Sequence, residues 1–348
     1  MSVAAEGASF VLADGSAQYI VLARWCLLCL LIMCPLPVDR ARANDSESNS
    51  AISQGPLFTG TLLSTRGTTI DEGHVNVMPY FYSTEFGGLF NNNWRLQSAT
   101  QTRTNILQTY LIYGLTSRID IEVAPQWVGN HAVNESTVGF GDFPVQIGFH
   151  ALRPPPDSWA PDVRIWVQET FPTGTFTDLS PSKVGLGGTG GGSFATTLGV
   201  GVQKIFLGTD DHVFRARMNA TYGFYSPVDV QGFNSYGGGF GTVGRVEPGS
   251  VTTLIVAGEY TLTRHVALAL DVSAQFVNAT HFSGSVGVGT NGEPAAIGKG
   301  YSEVISIAPG VEYNWNQHVG IIAGPWFSVL GKNAQAFFGF VAGISLYL

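Results

Sequence analysis

The feature that most constrains the fold is a pattern that repeats from about residue 72 to Leu348. A stretch of alternating apolar and polar residues is followed by a short polar turn, a second such stretch, and a long loop rich in Gly, Ser and Asn. Alternation with a period of two is typical of β-strands that have one apolar and one polar face. The stretches exceed the roughly five to six residues of an average soluble strand and suit the ~9–11 residues that cross a membrane.

The alternating stretches number about twelve, with fourteen as the alternative, and an even number places both chain ends on the side of the short turns. Their approximate ranges are 73–83, 103–114, 118–128, 140–151, 162–171, 193–206, 212–225, 250–261, 265–277, 301–313, 317–329 and 335–348. The last stretch ends in Tyr347 and Leu348, whereas β-barrels of the outer membrane commonly end in Phe. We expect the barrel-assembly machinery to engage this strand.

The connections between the stretches alternate in length. Tight turns lie at 115–117, 261–264 and 314–316. Long loops occupy 84–102, 129–139, 172–192, 226–249 and 278–300. Short turns on one side and long loops on the other are typical of outer-membrane barrels, in which the turns are periplasmic and the loops lie outside the cell.

These patterns together predict an all-β fold: a transmembrane antiparallel up-and-down β-barrel over residues 72–348. The surrounding solvent would be the lipid of a Gram-negative outer membrane. A secreted, soluble all-β protein is the alternative, because its strands alternate in the same way. Strand length and the asymmetry of the connections favour the membrane barrel.

Residues 1–43 read as a cleaved signal peptide. Arg24 precedes the apolar run 25–35, and Ala41-Arg42-Ala43 forms a small-x-small cleavage site. A buried N-terminal helix is the alternative, but the run is too short to span a membrane and ends in proline. The cysteines, Cys26, Cys29 and Cys34, all lie in this segment. The mature chain would then have no disulfide, thiolate metal site or cysteine nucleophile.

Residues 44–71 are polar and rich in Ser, Thr and Gly. We interpret them either as a disordered leader or as a segment that enters the barrel. The whole chain has a formal net charge of −8 and lacks a basic tract. This charge balance argues against a nucleic-acid partner.

The polar face of the strands carries charges of both signs, and these residues are the candidate lumen lining. They are Asp120, Glu122, Arg164, Arg215, Arg217, Glu259, Asp271 and Glu312. Facing a lumen, they would guide a polar solute or line a constriction. The alternative is a structural network of ion pairs that closes a narrow barrel and leaves a mainly structural or surface-interaction protein.

An outer-membrane lipid-modifying enzyme is a further alternative, since such enzymes carry Ser/His/acid groups on the barrel wall. His212, His265 and His318 fall in or beside the short turns, but no nucleophile motif indicates a partner serine. The histidines also lack the spacing of a metal site. We therefore predict no catalytic residue, no cofactor and no metal.

The Gly-rich segment 185–192 has no Gly-Lys-Ser/Thr after it, and a strand rather than a helix follows. This context argues against a phosphate-binding loop. We interpret the segment as a flexible outer loop.

Several motifs occur in a recognisable order. They are Gly114-Leu-Thr-Ser-Arg-Ile-Asp-Ile121, Gly139-Phe-Gly-Asp-Phe-Pro-Val-Gln-Ile147, Glu169-Thr-Phe-Pro-Thr-Gly174 and Leu198-Gly-Val-Gly-Val-Gln203. With these motifs the chain resembles, over about residues 72–348, the outer-membrane family named for meta-pathway phenol degradation. The resemblance implies a porin-like channel or transporter for small hydrophobic or aromatic compounds, with outer-membrane lipids and the solute as partners. The family supplies no catalytic or ligand residues, and the motifs look architectural.

Overall fold

The structure is a computed structural model that describes residues 57–132, 135–155, 158–183, 186–207 and 212–348. The predicted signal peptide, residues 1–43, lies outside the described residues, as does the segment 44–56. Within the described ranges, no helix is long and apolar enough to cross a membrane.

The described chain is built almost entirely of β-strands, with a single 3-10 turn at Pro181–Lys183. The strands are β1 (Val75–Phe90), β2 (Leu96–Thr116), β3 (Ile119–Val123), β4 (Gln126–Ala132), β5 (Glu135–Phe140), β6 (Phe143–Leu152), β7 (Asp162–Phe171), β8 (Ala195–Leu207), β9 (Val213–Tyr225), β10 (Val228–Gln231), β11 (Val243–Glu247), β12 (Val251–Thr261), β13 (Val266–Val277), β14 (His281–Ser285), β15 (Ser302–Asn314), β16 (Val319–Lys332) and β17 (Ala334–Tyr347).

The strands close into an antiparallel barrel with 12 positions, which confirms the predicted fold class and strand number. Their order around the wall is β1, β17, β16, β15, β13, β12, β9, β8, β7, β6, β3 and β2, and pairing of β1 with β2 closes the ring. β4 and β5 form an extra hairpin that continues β3 and β6 past two breaks. Pro125 lies at the first break, where it cannot donate to the ladder, and Gly141 and Asp142 form the second.

The two faces of each strand are as predicted from the alternation. On β13, Leu268 and Leu270 face outward and are 44% and 47% exposed, whereas Ala267 and Asp271 are fully buried. Outward apolar residues recur around the wall on β2, β6, β7, β8, β9, β12 and β15. Such a surface is unfavourable in water and suits a lipid environment.

The long connections contain more structure than predicted. Much of 84–102 and 129–139 is strand, because β1 and β2, and β4 and β5, continue as hairpins. In 226–249 and 278–300, β10, β11 and β14 form a separate three-stranded sheet. Their inward residues make a small apolar core of Val228, Val230 and Val246, against which Phe176, Tyr236, Phe282 and Ile297 pack. Strands of four or five residues set among glycines leave too little alternation to be recognised.

The described part of the leader, residues 57–71, lies inside the barrel, and we name it the strap. The Leu57 N–H donates to the carbonyl of Arg264 (3.1 Å), in the turn between β12 and β13. The Gly73 N–H, just past the strap, donates to the carbonyl of Gly114 (2.9 Å), at the turn between β2 and β3. Both ends of the strap therefore lie at the end of the barrel that carries the short turns, which we call the turn end; the opposite end is the loop end.

Candidate functional site: the lumen and its strap

The strap is anchored by two buried carboxylates of the wall. Asp271, on β13, accepts hydrogen bonds from the N–H groups of Leu62 and Ser64, each at 3.0 Å. Glu312, on β15, accepts from the N–H groups of Thr59 (2.6 Å) and Gly60 (3.2 Å). These four hydrogen bonds hold residues 59–64 of the strap against β13 and β15.

An arginine–glutamate cluster lies beside this anchor. Glu259 on β12 stands directly opposite Arg215 on β9, and the Arg215 Nε donates to it at 2.6 Å. The Nε of Arg217 lies 3.2 Å from the same carboxylate. The Arg217 Nη1 donates to the Ser64 carbonyl at 3.3 Å, and the Arg215 guanidinium stacks over Phe58 at 4.2 Å. The cluster thus joins β9 to β12 and holds the strap against β9.

A second cluster surrounds Asp120 on β3. The Arg164 Nη2, from β7, donates to it at 2.6 Å, and the Arg66 Nη2, from the strap, donates at 3.4 Å. Arg164 and Asp120 are fully buried. The Arg164 guanidinium occupies the space above Gly148, where any side chain would overlap it.

Seven of the eight charged residues predicted from the sequence take three places. Asp120 and Arg164 join Arg66; Arg215, Arg217 and Glu259 form the cluster around Glu259; Asp271 and Glu312 bind the backbone of the strap. Glu122 joins neither cluster and lines a cavity instead.

Sequence reasoning missed the uncharged residues that also hold the strap. Gln203 accepts from the Gly67 N–H (3.4 Å), and Asn219 donates to the Thr65 carbonyl (3.2 Å). Their position on the polar face of β8 and β9 indicates only that their side chains point into the lumen. That position could not reveal a partner in the distant leader.

A cavity of about 650 Å³ lies beside the strap. Leu62 packs with Ala308 and Ile322 near β15 and β16. The cavity is bordered by the strap and by residues of β1, β2, β3, β6, β7, β8, β9, β12 and β17. Its walls include four aromatic side chains and several polar ones: Tyr80, Tyr82, Tyr110, Trp166, Glu122, Gln146 and Gln168. The lining also reaches Gln317 and Tyr347 at the turn end.

The tyrosines of this cavity hold one another in place. The rings of Tyr80 and Tyr110 meet edge to face at 5.7 Å, and those of Tyr80 and Tyr82 stack at 5.9 Å. The Tyr110 hydroxyl donates to the Gln108 side chain at 2.8 Å. The cavity therefore combines a cluster of aromatic rings with polar and charged groups, which can orient a small molecule.

The histidine rings contact chiefly backbone carbonyls and an aspartate. The Nδ1 atoms of His212 and His265 lie 2.9 Å and 2.6 Å from the carbonyls of Thr261 and Asn314, and His150 pairs with Asp162 at 3.0 Å. Among the residues that the structure describes, no serine hydroxyl hydrogen-bonds a histidine ring, and no cluster of three or more His, Cys, Asp or Glu side chains could hold a metal ion.

A closed barrel with membrane-length strands, an apolar outer wall and a strap within the lumen is a transmembrane β-barrel of the outer-membrane type. Among solved structures, it is similar to an outer-membrane channel from Pseudomonas putida F1, with 14% identity, a TM-score of 0.64, and coverage of 82% of this chain and 99% of that one. This likeness establishes the shared fold. The shared fold agrees with the resemblance to an outer-membrane family and with the predicted location in the outer membrane.

Two further structures are more distant. The β domain of the Bordetella autotransporter BrkA has 9% identity and a TM-score of 0.44, over 80% of this chain and 100% of that one. A deletion mutant of the TodX monoaromatic hydrocarbon channel has 12% identity and a TM-score of 0.40, over 84% and 95%. No family model matches the sequence, and no curated protein matches it significantly.

Proposed function

We propose that the protein is an outer-membrane channel for small hydrophobic or aromatic compounds, and that it is not an enzyme. The observation that carries the proposal is the cavity between the strap and the wall, which the side chains of Tyr80, Tyr82, Tyr110 and Trp166 help to line. The fold shared with an outer-membrane channel supports it. Stacking and edge-to-face contacts with such rings favour flat apolar solutes.

In this proposal most of the charged lumen residues act on the strap rather than on the solute. Asp271 and Glu312 bind its backbone, and Arg66 ties it to Asp120. Glu122 makes no hydrogen bond or ion pair with the described residues of the strap and lines the cavity, which Arg66, Arg215 and Arg217 also border. The strap would set the width of the lumen, and the solute would pass on its aromatic side.

The remaining partners are part of the same proposal. Outer-membrane lipids would surround the apolar wall, and the barrel-assembly machinery would engage β17 before it pairs with β1. No role for nucleic acid or a cofactor is proposed.

Single-channel recording in planar lipid bilayers tests the function. We expect a small ion conductance that an added aromatic solute such as toluene reduces with increasing concentration, because the solute occupies the cavity. Tyr110→Leu should weaken this block several-fold, since it removes one ring face. Tyr301→Leu, a tyrosine that pairs with Glu303 near the loop end, is the matched control and should leave the block unchanged.

The ion-pair clusters favour a second candidate, a closed structural barrel. It predicts no conductance from the wild type or from variants in which the strap has been released. An unmeasurable conductance in all of these proteins would therefore overturn the channel and support the structural barrel.

A further inference from the structure

Asp142, at the break between β5 and β6, holds the Gly-rich loop. Its Oδ1 accepts a hydrogen bond from the Gly174 N–H (2.9 Å), and its Oδ2 accepts from the Gly191 N–H (2.7 Å). One carboxylate thus joins the second and third sequence motifs to the Gly-rich loop. Two N–H groups on a single carboxylate make a strong, charge-assisted tie.

Two threonine hydroxyls complete the connection. The Thr173 Oγ1 donates to the Gly141 carbonyl (2.7 Å), and the Thr189 Oγ1 donates to the Phe140 carbonyl (2.8 Å). The Thr175 N–H in turn donates to the Thr189 Oγ1 at 2.9 Å. The Gly-Phe-Gly-Asp and Phe-Pro-Thr-Gly motifs are therefore the two halves of one hydrogen-bonded junction.

The junction also explains why glycine is needed there. A Cβ added to Gly174 would lie 2.6 Å from the Gly190 nitrogen, which is closer than such atoms can approach. A Cβ added to Gly190 would overlap the Asp142 carboxylate. Only glycine lets the two backbones meet around that carboxylate.

The described part of the Gly-rich loop, residues 186–192, lies in the connection between β7 and β8 at the loop end of the barrel. Asn130, on the inner face of β4, donates to the carbonyls of Leu186 (3.2 Å) and Gly188 (2.8 Å). From the other side, the Tyr236 hydroxyl donates to the Gly191 carbonyl (2.7 Å). The sequence predicted a flexible loop here, but the segment is hydrogen-bonded to β4 of the wall and to the connection between β10 and β11.

The phenol of Tyr236 remains a donor at neutral pH. Burial, together with the nearby negative charge of Asp142, raises the pKa of Tyr236 to about 12. The Ser235 hydroxyl adds a donor to the Gly190 carbonyl at 2.7 Å. Tyr236 and Ser235 each make one hydrogen bond to the loop, whereas the carboxylate of Asp142 accepts two backbone N–H groups.

We propose that residues 186–192 form a lid over the loop end of the lumen, and that the Asp142 carboxylate is the latch that keeps it closed. Release of the latch exposes the lumen from the loop end. The proposal concerns regulation of the proposed channel and rests on it for its consequence for transport, but the position of the lid can be measured independently.

The test begins with Asp142→Ala, which removes both acceptors. We expect its single-channel conductance to rise several-fold over the wild type. The control is Asp229→Ala on β10, because its carboxylate is 83% exposed and makes only a long pair with Arg245 (3.8 Å). This control should behave as the wild type. Heat-dependent migration on SDS gels verifies that each barrel is folded, and Gly190→Ala serves as the second latch variant if Asp142→Ala does not fold.

A reversible lock provides the decisive comparison. A Cβ on residue 188 lies 3.5 Å from the Ser235 Cβ, within the range of a disulfide. Gly188→Cys with Ser235→Cys should therefore cross-link the lid to the connection between β10 and β11. In the Asp142→Ala background, oxidation should restore the wild-type conductance and reduction should raise it again.

Access to the lumen separates this inference from the proposed function. Thr197→Cys, in the lining of the cavity, should react faster with a charged thiol reagent added at the loop end when Asp142 is replaced by Ala. Faster labelling without any block of current by toluene would support the lid and overturn the proposed solute. Equal labelling and equal conductance in folded wild type, Asp142→Ala and Gly190→Ala proteins would overturn the lid.

Discussion

At the scale of single residues, Glu259 is a position where substitution should strongly affect the stability of the barrel. It is fully buried and faces two guanidinium groups, those of Arg215 and Arg217. A buried ion pair gains little over a well-packed apolar pair, but removal of one partner leaves an uncompensated buried charge. Glu259 is therefore better explained by the arginines it neutralises, which hold the strap, than by a contribution of its own.

Glu259→Gln should consequently lower the free energy of unfolding by about 3–5 kcal/mol, since both arginines lose their counter-charge inside the wall. The control is Glu85→Gln, whose pair with Arg103 is about half exposed and should be worth at most ~1 kcal/mol. Urea unfolding in detergent or lipid, followed by tryptophan fluorescence, measures both. Similar losses in the two variants would show that the cluster around Glu259 is not desolvated.

The outward residues make a contrasting prediction. Leu270→Arg should destabilise the barrel by about 2–4 kcal/mol if it lies near the bilayer midplane, because lipid cannot solvate the charge. Gln275→Arg, on the opposite face of β13, should be tolerated, because that face borders the lumen. Folding titrations in lipid vesicles provide the comparison, and equal sensitivity at the two positions would contradict the assignment of faces.

At the scale of elements, the strap is unusual because it is held mainly through its backbone. Asp271 and Glu312 receive N–H groups, and Asn219 and Arg217 donate to carbonyls. Backbone recognition depends on the path of the strap more than on its side chains. The strap enters and leaves at the turn end, so it can be withdrawn as a loop without threading a chain end through the barrel.

Asp271→Ala should loosen the strap, because two N–H groups inside the lumen lose their acceptor. Leu62→Cys reports the change: its side chain is 2% exposed in the wild type, and its reaction with a small thiol reagent should accelerate at least tenfold in the Asp271→Ala background. Ser273→Ala, on the same face of β13, is the control and should leave the rate unchanged. A rate that is the same in all backgrounds would mean that the apolar contact of Leu62 alone holds the strap.

At the scale of the whole molecule, the orientation of the barrel can be tested from its connections. Asp229→Cys and Ser182→Cys lie in exposed positions at the loop end and should react with an impermeant thiol reagent on intact cells. Ser117→Cys, in a short turn, should react only after the outer membrane is permeabilised. Asn234 would be a poor reporter, since it is 2% exposed. Labelling of Ser117→Cys on intact cells would reverse the orientation.

The strands of the barrel wall could be predicted from the sequence because their apolar and polar residues alternate with a period of two. Ile119, Asp120 and Ile121 already show which face of β3 meets lipid, and the same alternation predicts strands at all 12 barrel positions. The pairing of Arg215 with Glu259 also follows, once the two strands are neighbours. In each case the physical signal lies within a few residues of the structure it specifies.

The positions of the strap and of the Gly-rich loop have no such local signal in the sequence. Nothing near Leu62 or Ser64 indicates that Asp271 will bind them, and nothing near Asp142 indicates two glycine N–H groups from another connection. These contacts join polar groups across large separations in the chain. They depend on the closed geometry, which alternation alone does not describe.

The strap also limits the order in which the barrel can form. Its hydrogen bonds with Asp271 and Glu312 join residues 207 to 253 positions apart. Contacts of such separation form late, because chain entropy must be lost before they add stability. The strap is the first described segment to be synthesised, yet its hydrogen bonds are among the last to form. They cannot form until β13 and β15 have entered the sheet. Folding rate should therefore be set by closure of the sheet, while the strap governs how slowly the finished barrel comes apart.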